Sequence, residues 1–331
     1  MKITILTTQL GGTGGALNCI LIANKLVKEG HEVRVFSESM PGSYIGEMLA
    51  VKANSIRDLP QNLKSDVVIA FNMTSEIEKR MRELEGKKVF RVGIITQSFY
   101  PIFQDKDILK IAVVSSNKKF IDSWGGPCVA IPGPVDMENF FPEPLWKKRS
   151  NIALSYLKKS GWVGVAGINL AQDVKREIVL GTLGEDGVGS IPIKSRYPIT
   201  LLGAPAHLRH YVRYCYSIAR LYVDTHSNGF WTWNCCVSEA MLCKCPVVCT
   251  NSPEFSDIVI EGETALTAQH DEAPEMPDTN WLTRPSPQKI ADRVLELWDN
   301  PSLRARLVEN AYENVRKFNI DNWYTEFMRL M

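Results

Sequence analysis

The amino-acid sequence predicts an α/β protein made of two Rossmann-like domains that face each other across a cleft. Short apolar segments of strand type alternate with helical or charged segments in both halves of the chain, which is typical of parallel, doubly wound sheets. A proline-rich break separates the two alternations. The chain of 331 residues also exceeds what one hydrophobic core usually supports, so two domains are expected.

The first alternation opens with a βαβ unit. Residues 2–7 form a β-branched, apolar segment, and the glycine-rich turn Gly11-Gly-Thr-Gly-Gly15 follows it. Apolar residues then recur at helical spacing from Ala16 until Gly30, which predicts a helix that stops at that glycine. Further strands are predicted at residues 31–36, 66–70, 89–95 and 111–115, with a charged helical or loop segment over residues 76–86.

The break lies at Ile131-Pro-Gly-Pro-Val-Asp136 and Phe140-Phe-Pro-Glu-Pro144, which contain too many prolines to continue a helix or a strand. Beyond it, strands are predicted at residues 151–156, 199–202, 220–224 and 246–250, and a short helix carrying Glu239 lies between the last two. Ligands of such folds bind beyond the carboxyl ends of the strands. The segment around Glu239 is therefore a candidate ligand site.

Composition excludes several classes of protein. Hydrophobic residues make up 45% of the chain and charged residues 23%, and the formal net charge of +1 gives no reason to expect nucleic acid as the main partner. No stretch approaches the ~18 apolar residues of a membrane helix, and the apolar start is too short for a signal peptide. A cytoplasmic protein is expected, with peripheral membrane contact through a surface patch left open.

The eight cysteines lack a paired C-x2-C framework and are expected to be reduced core residues.

Four stretches, in order over nearly the whole chain, carry a family resemblance. The first is the glycine-rich turn with Gly30-His-Glu-Val33, and the second is the proline-rich break. The third and most specific joins Ser238-Glu-Ala-Met241, Cys245-Pro-Val-Val248 and residues 257–266, and the fourth is the closing helix at residues 319–330. In these stretches the chain resembles the GT-B glycosyltransferases, close to the large family 4 of retaining enzymes.

The resemblance implies three parts: an acceptor-side domain over residues 1–142, a nucleotide-sugar-binding domain over residues 143–316, and a helix over residues 317–331 that crosses back to the first domain. It implies a retaining, hexosyltransferase-like enzyme whose co-substrate is a nucleotide diphosphate sugar and whose acceptor is a glycan, a lipid or a small molecule. No metal or other cofactor is expected. Two alternatives stay open: a nucleotide-sugar 2-epimerase of the same fold, and a catalytically silent protein that binds a glycan or nucleotide.

Glu239 matches the second glutamate of the family's E-x7-E motif. The resemblance implies that its carboxylate accepts hydrogen bonds from the ribose hydroxyls of the nucleotide; the alternative is a local cap or salt bridge. Trp231 stands where the family has the first glutamate, which contacts sugar hydroxyls. An indole cannot accept such bonds, so either Asn228 or Asn234 replaces it, or backbone amides and stacking on Trp231 or Trp233 hold the sugar. Alternatively, both tryptophans belong to the core.

The remaining candidates follow from the same resemblance. Lys158 and Lys159 are the candidate catalytic residues, placed to contact the leaving diphosphate as point charges, unless they are merely a solvated pair. Amides at the helix start near Asn234 could supplement them, and Gln97 is a candidate on the acceptor side. The complete donor-binding set comprises Gly12, Thr13, Gly14, Trp231, Thr232, Trp233, Asn234, Cys235 and Glu239.

Overall fold

The computed structural model describes residues 1–10, 14–39, 49–93, 100–144, 149–156, 161–183, 199–201, 209–225, 233–269 and 286–331. The chain divides into two compact units. The first unit comprises Met1–Pro134 and Phe318–Met331 together with Trp233, and the second comprises Val135–Gly229 and Asn234–Lys317. Within the described residues, no helix combines the length and apolar character needed to cross a membrane.

The first unit contains a parallel sheet with the strand order β3-β2-β1-β4-β5-β6-β7. Its strands are β1 (Lys2–Gln9), β2 (Glu32–Ser39), β3 (Ala53–Ser55), β4 (Val67–Phe71), β5 (Lys87–Val92), β6 (Ile108–Ala112) and β7 (Cys128–Ala130). Its helices are α1 (Gly14–Lys28), α2 (Ser75–Glu83), α3 (Tyr100–Gln104) and α4 (Ser115–Ser123), and α10 (Ile320–Leu330) joins them from the end of the chain.

Local sequence explains where these elements end. Gly30 stops α1 as predicted, because its φ of +82° lies in the left-handed region that glycine adopts without strain. Thr74 is the N-cap of α2, and its hydroxyl accepts a hydrogen bond from the amide of Ile77 at 3.1 Å. Strand β4 is buried at every residue, as expected for a central strand of a parallel sheet covered on both faces.

Helix α10 completes the core of the first unit. Trp323 and Phe327 are 3% and 0% exposed and belong to the same hydrophobic cluster as β1 and α1. Polar contacts flank this packing: the Tyr324 hydroxyl lies 2.9 Å from Nε2 of His31, and Lys25 pairs with Asp321 at 2.6 Å. The last helix of the chain is therefore part of the first unit's core.

The second unit contains a parallel sheet with the strand order β10-β9-β8-β11-β12-β13. Its strands are β8 (Ile152–Tyr156), β9 (Val179–Leu183), β10 (Ile199–Leu201), β11 (Leu221–Asp224), β12 (Val247–Thr250) and β13 (Leu266–Ala268). Its helices are α5 (Gly161–Val174), α6 (Arg209–Ile218), α7 (Cys235–Leu242), α8 (Pro287–Asp299) and α9 (Pro301–Val315). The prediction of two parallel, doubly wound sheets is confirmed.

The division between the units falls at Pro134 and Val135, before the domain boundary predicted at residue 142. Residues just after the division pack within the second unit. Arg213 of α6 donates a hydrogen bond to the carbonyl of Asn139 at 3.0 Å and pairs with Glu143 at 2.8 Å. These contacts explain why the end of the proline-rich segment belongs to the second unit.

Arg149 joins the carboxyl-terminal ends of α6 and α7. Its guanidinium, just before β8, is a shared cap for both helices, because unpaired carbonyls at helix ends attract cations. It donates hydrogen bonds to carbonyl oxygens at the ends of the two helices: Tyr216, Ser217, Ala219, Cys243 and Lys244. Burial lowers the pKa of Arg149 from its ordinary value. One side chain thus sets the distance between the two helix ends.

All eight cysteines are free, as the sequence predicted. Five are buried, whereas Cys128, Cys235 and Cys236 are partly exposed. Burial raises the pKa of Cys19 to about 12 and that of Cys245 to about 11, so these thiols stay protonated and pack as small apolar groups.

Candidate functional site

Polar side chains collect where the strand order of the second sheet reverses. Strands β8 and β11 are neighbours there, and ligands of open parallel sheets bind at such a point. The hydroxyl of Thr225 accepts a hydrogen bond from the amide of Gly164 at 3.1 Å, which ties the first turn of α5 to the end of β11. A Cβ at position 164 would lie 2.9 Å from Oγ of Ser155, so only glycine allows this approach.

Asn234 connects the start of α7 to the same edge. Its Oδ1 accepts from the amide of Val237 at 3.1 Å, which makes it the N-cap of α7, and its Nδ2 donates to Oδ2 of Asp224 at 3.4 Å. The Tyr222 hydroxyl donates to the same oxygen at 2.8 Å. Cys235 is the first residue of α7. The role of Asn234 and Cys235 at a donor stays a prediction, and the geometry gives Asn234 a capping function.

Glu239 lies in the middle of α7 and is only 7% exposed. Its Oε1 accepts a hydrogen bond from Nη2 of Arg209 at 3.0 Å, and the same nitrogen lies 2.9 Å from Oδ2 of Asp136. The salt bridge that was the alternative for Glu239 is therefore present. Asp136, Arg209 and Glu239 together are called the Arg209 cluster below.

The charges of the Arg209 cluster oppose one another. Burial, with a smaller contribution from the negative charge of Asp136, raises the pKa of Glu239 to about 7 against the lowering effect of the positive charge on Arg209. Burial alone would lower the pKa of Arg209, but the charges of Glu239 and Asp136 outweigh burial and raise it. Arg209 is therefore a permanent cation, and Glu239 changes its protonation near neutral pH.

Trp233 packs as a core residue. It is 7% exposed, its ring centroid lies 5.3 Å from that of Phe318, and a Cβ at Gly133 would lie 2.5 Å from its Cγ. This packing favours the alternative in which Trp233 belongs to the core over the one in which its ring stacks on a sugar.

The first sheet has a polar edge at its own point of reversal, between β1 and β4. Asn72 follows β4 with a φ of +60°, a left-handed conformation that is uncommon outside glycine. Its Nδ2 donates to Oγ1 of Thr8 at 3.4 Å, and a Cβ at Gly15 would lie 3.9 Å from that same nitrogen. The start of α1 thus approaches the residue after β4, as the start of α5 approaches Thr225 in the second sheet.

Several of the predicted site residues lie outside the described residues: Gly12, Thr13, Gln97, Lys158, Lys159, Trp231 and Thr232. Gly14 begins α1. Two residues of the Arg209 cluster were missed by the sequence analysis. Asp136 stands inside the quoted proline-rich motif without a role, and Arg209 gave no signal, because it is one of several cations in a tyrosine-rich helix.

The chain is similar to known glycosyltransferases in sequence over one segment and in fold over its whole length. Residues 207–314 match the family model of the glycosyl transferases group 1, a segment that includes α6 and α7. The whole chain superposes on sucrose-phosphate synthase from Thermosynechococcus elongatus with a TM-score of 0.72 and 14% identity, covering 100% of this chain and 98% of that one. It superposes on HepE of Anabaena in complex with UDP-glucose with a TM-score of 0.74 and 14% identity, covering 100% and 99%. The fold is GT-B.

A third solved structure is similar over nearly its whole length. The glycosyltransferase from Rickettsia africae matches with a TM-score of 0.71 and 16% identity, covering 99% of this chain and 97% of that one. No curated protein sequence matches the chain significantly. The resemblance to GT-B glycosyltransferases that the motifs indicated is confirmed. At identities of 14–16%, the solved structures show the shared fold alone.

Proposed function

We propose that this protein is a retaining glycosyltransferase that moves a hexosyl group from a nucleotide diphosphate sugar to an acceptor hydroxyl. The observation that carries the proposal is the position of Glu239, a buried carboxylate on α7 within the segment that matches the glycosyl transferases group 1. A buried carboxylate is costly unless its oxygens are hydrogen-bonded. Ribose hydroxyls are donors that suit an acceptor-only group.

A uridine nucleotide is the proposed donor. HepE, which has the same fold, was solved in complexes with UDP-glucose, with UDP and glucose, and with UDP. We place the ribose at Glu239 and the diphosphate near Lys158 and Lys159, which would offset the charge of the leaving group. The proposed reaction needs no metal or other cofactor.

The proposed chemistry needs no general base from the protein. The acceptor hydroxyl attacks from the face that the diphosphate leaves, and a phosphate oxygen takes its proton, so the anomeric configuration is retained. We place a glycan, lipid or small-molecule acceptor on the first unit, near Gln97 and the glycine-rich turn. This part of the proposal rests on the family resemblance.

The test is incubation of the protein with UDP-, GDP-, ADP- and dTDP-hexoses, with and without mixed acceptors, following nucleoside diphosphate release. We expect release from the UDP-sugar that acceptors accelerate, and a product whose anomeric configuration by NMR equals that of the donor. An isomerised sugar would indicate the epimerase instead. Binding without release would indicate the catalytically silent alternative.

A matched pair of variants locates the ribose. Glu239→Gln keeps the size of the side chain and removes the charge, so we expect UDP affinity to fall about tenfold or more, as for a lost charge-assisted hydrogen bond. Glu309→Gln is the control, because Glu309 is an exposed carboxylate of the same unit that pairs with Lys244. If both variants bind UDP like the wild type in calorimetry, the ribose does not lie at Glu239.

A further inference from the structure

A single nitrogen of Arg209 serves two carboxylates. Its Nη2 lies 3.0 Å from Oε1 of Glu239 on α7 and 2.9 Å from Oδ2 of Asp136, which belongs to the segment between β7 and β8. The two carboxylates cannot be far apart, because both contact the same atom. They therefore compete for one cation inside a region of low dielectric constant.

The other members of this contact are held in place. The guanidinium of Arg209 lies over the ring of Phe140, 4.5 Å from its centroid. Asp136 accepts hydrogen bonds from the backbone amide of Asn139 at 3.1 Å and from its side-chain Nδ2 at 2.9 Å. The guanidinium thus has a fixed position, and Glu239 is oriented through its Oε1.

We infer that Arg209 is a positioning residue for the nucleotide site, which holds Glu239 in its ionised form and orients it through Oε1, while Asp136 opposes this effect. The inference rests on the proposed function, since it assigns Glu239 to the ribose. Arg209 acts through Glu239 and is not assigned a contact with the substrate. The sequence resemblance assigns no role to Arg209 or to Asp136.

The charges around Glu239 determine how nucleotide affinity should depend on pH. Among the described residues, the charged groups that shift the pKa of Glu239 are Arg209 from α6 and Asp136 from the segment after β7. Cys243, at the end of the same helix, is influenced by Glu239, but burial keeps its thiol neutral. The ionised carboxylate accepts from ribose hydroxyls, so UDP affinity should rise as the pH rises through about 7.

Substitutions at the two partners should move this pH dependence in opposite directions. Arg209→Met removes the cation, so the pKa of Glu239 rises and the increase in affinity moves to higher pH. Asp136→Asn removes the repelling charge and keeps an acceptor for the amide of Asn139, so the increase moves to lower pH. A residue with a merely structural role would weaken binding equally at every pH.

The experiment is calorimetric titration of UDP between pH 5.5 and pH 9 into wild type, Arg209→Met, Arg209→Lys, Asp136→Asn and Arg213→Met. Arg213→Met is the matched control, because Arg213 lies one turn further along α6 and pairs with Glu143 instead. We expect Arg209→Met to weaken UDP binding at pH 7 about tenfold for each pH unit by which the rise in UDP affinity moves to higher pH. Arg209→Lys should restore binding, since a lysine ammonium can replace one bridging nitrogen.

Three outcomes overturn the inference: Arg209→Met binds like Arg213→Met, it weakens UDP binding equally at all pH values, or Asp136→Asn shifts the profile upward. Should Arg209→Met fail to fold, as judged by circular dichroism, Arg209→Lys and Asp136→Asn decide the matter through their pH profiles. Wild-type protein that binds no nucleoside diphosphate would instead contradict the proposed function. The two failures are therefore distinguishable.

Discussion

Glu239 experiences two opposing influences on its protonation. Burial and the charge of Asp136 favour the neutral acid, whereas Arg209 favours the carboxylate. A buried ion pair of this kind contributes little net stability, because desolvation of both ions offsets their attraction. Its presence at a candidate ligand site is better explained by the placement of a charge than by stabilisation of the fold.

The pKa of Glu239 makes folding stability depend on pH. Because the pKa is raised from 4.5 to about 7, the folded protein binds more protons than the unfolded chain between these values. The stability that this group contributes is therefore fully present below pH 4.5 and is lost as the pH rises through about 7. The difference in the free energy of unfolding between wild type and Glu239→Gln should fall by about 3 kcal/mol as the pH rises from 4.5 to about 7. Urea unfolding at several pH values measures this difference. Glu309→Gln is the control, and its difference from wild type should stay constant over the same pH range.

Lys244 is another residue whose backbone suggests a test. Its φ is +54° just after the C-cap of α7, a left-handed position that glycine commonly takes, and its ammonium pairs with Glu309 at 2.6 Å. In a Glu309→Gln background, Lys244→Gly should raise the free energy of unfolding by about 1 kcal/mol by relieving the left-handed strain. Lys244→Ala in that background keeps the strain and should give no gain. Equal stability of the glycine and alanine variants would contradict this explanation.

At the scale of elements, the sequence pattern located strands that form a distinct apolar run and missed those that do not. It predicted β1, β2, β4, β5, β8, β10, β11 and β12, whose apolar runs are visible without knowledge of their neighbours. It missed β3, β7, β9 and β13, of which three are only three residues long. Such short strands are set by pairing with a neighbour, as Leu266 pairs with Val248, and pairing leaves no local pattern.

Strand β6 shows why a boundary was wrong. The sequence placed the strand at residues 111–115, after the charge of Lys110, but the strand begins at Ile108 and α4 begins at Ser115. Lys110 is fully buried, and its ammonium donates to the carbonyl of Asp105. Burial lowers its pKa. A lysine that satisfies its charge locally can continue a buried strand, which no hydrophobic pattern reveals.

The sequence predicted Glu239 of the candidate site but not its partners Arg209 and Asp136. Glu239 was found because it stands in a contiguous motif with its strand and helix. Its partners lie 30 residues away at Arg209 and further still at Asp136, and only the fold brings them together. The position of Trp233 in the core likewise depends on contact with Phe318, a residue of distant sequence.

Helix α5 packs closely against α8 at a glycine. A Cβ at Gly167 would lie 2.6 Å from Cβ of Ile290 and 3.0 Å from the carbonyl of Pro287. We expect Gly167→Ala to cost about 1–3 kcal/mol as overpacking, although alanine favours a helix over glycine by about 1 kcal/mol. Gly15→Ala is the control, because among the described residues its Cβ would meet only Nδ2 of Asn72, at 3.9 Å. Thermal unfolding that ranks the two variants equally would show that α5 can move away from α8.

At the scale of the whole molecule, the two sheets share one strand order over six strands, and the first sheet adds β7 at its edge. The strand order reverses between β1 and β4 in the first sheet and between β8 and β11 in the second. A polar side chain follows the second strand of each pair, Asn72 after β4 and Thr225 after β11, and lies near the start of a helix. The chain therefore builds the same edge twice. In the second unit, Asn234 at the start of α7 lies at this edge, where its side chain contacts Asp224.

The first unit depends on the end of the chain for its core. Trp323→Ala should lower the free energy of unfolding of that unit by about 3–5 kcal/mol, because a large buried side chain is replaced by a cavity. Amide hydrogen exchange of β1 and α1 in the full chain measures the effect. Glu326→Ala on the exposed side of α10 should change it by less than about 0.5 kcal/mol. Faster exchange in α8 instead would contradict the assignment of α10 to the first unit's core.

The cap that Arg149 provides for α6 and α7 has a dynamic consequence. Because one guanidinium holds the carbonyl ends of both helices, neither can fray from its end without breaking the contacts of the other, and the two should open as one cooperative segment. UDP bound at Glu239 on α7 should then slow amide exchange in α6 by the same factor. In Arg149→Met, protection by UDP should remain in α7 and disappear from the carboxyl-terminal turn of α6. Nucleotide occupancy would then be communicated between the helices through Arg149, which is not one of the proposed nucleotide contacts.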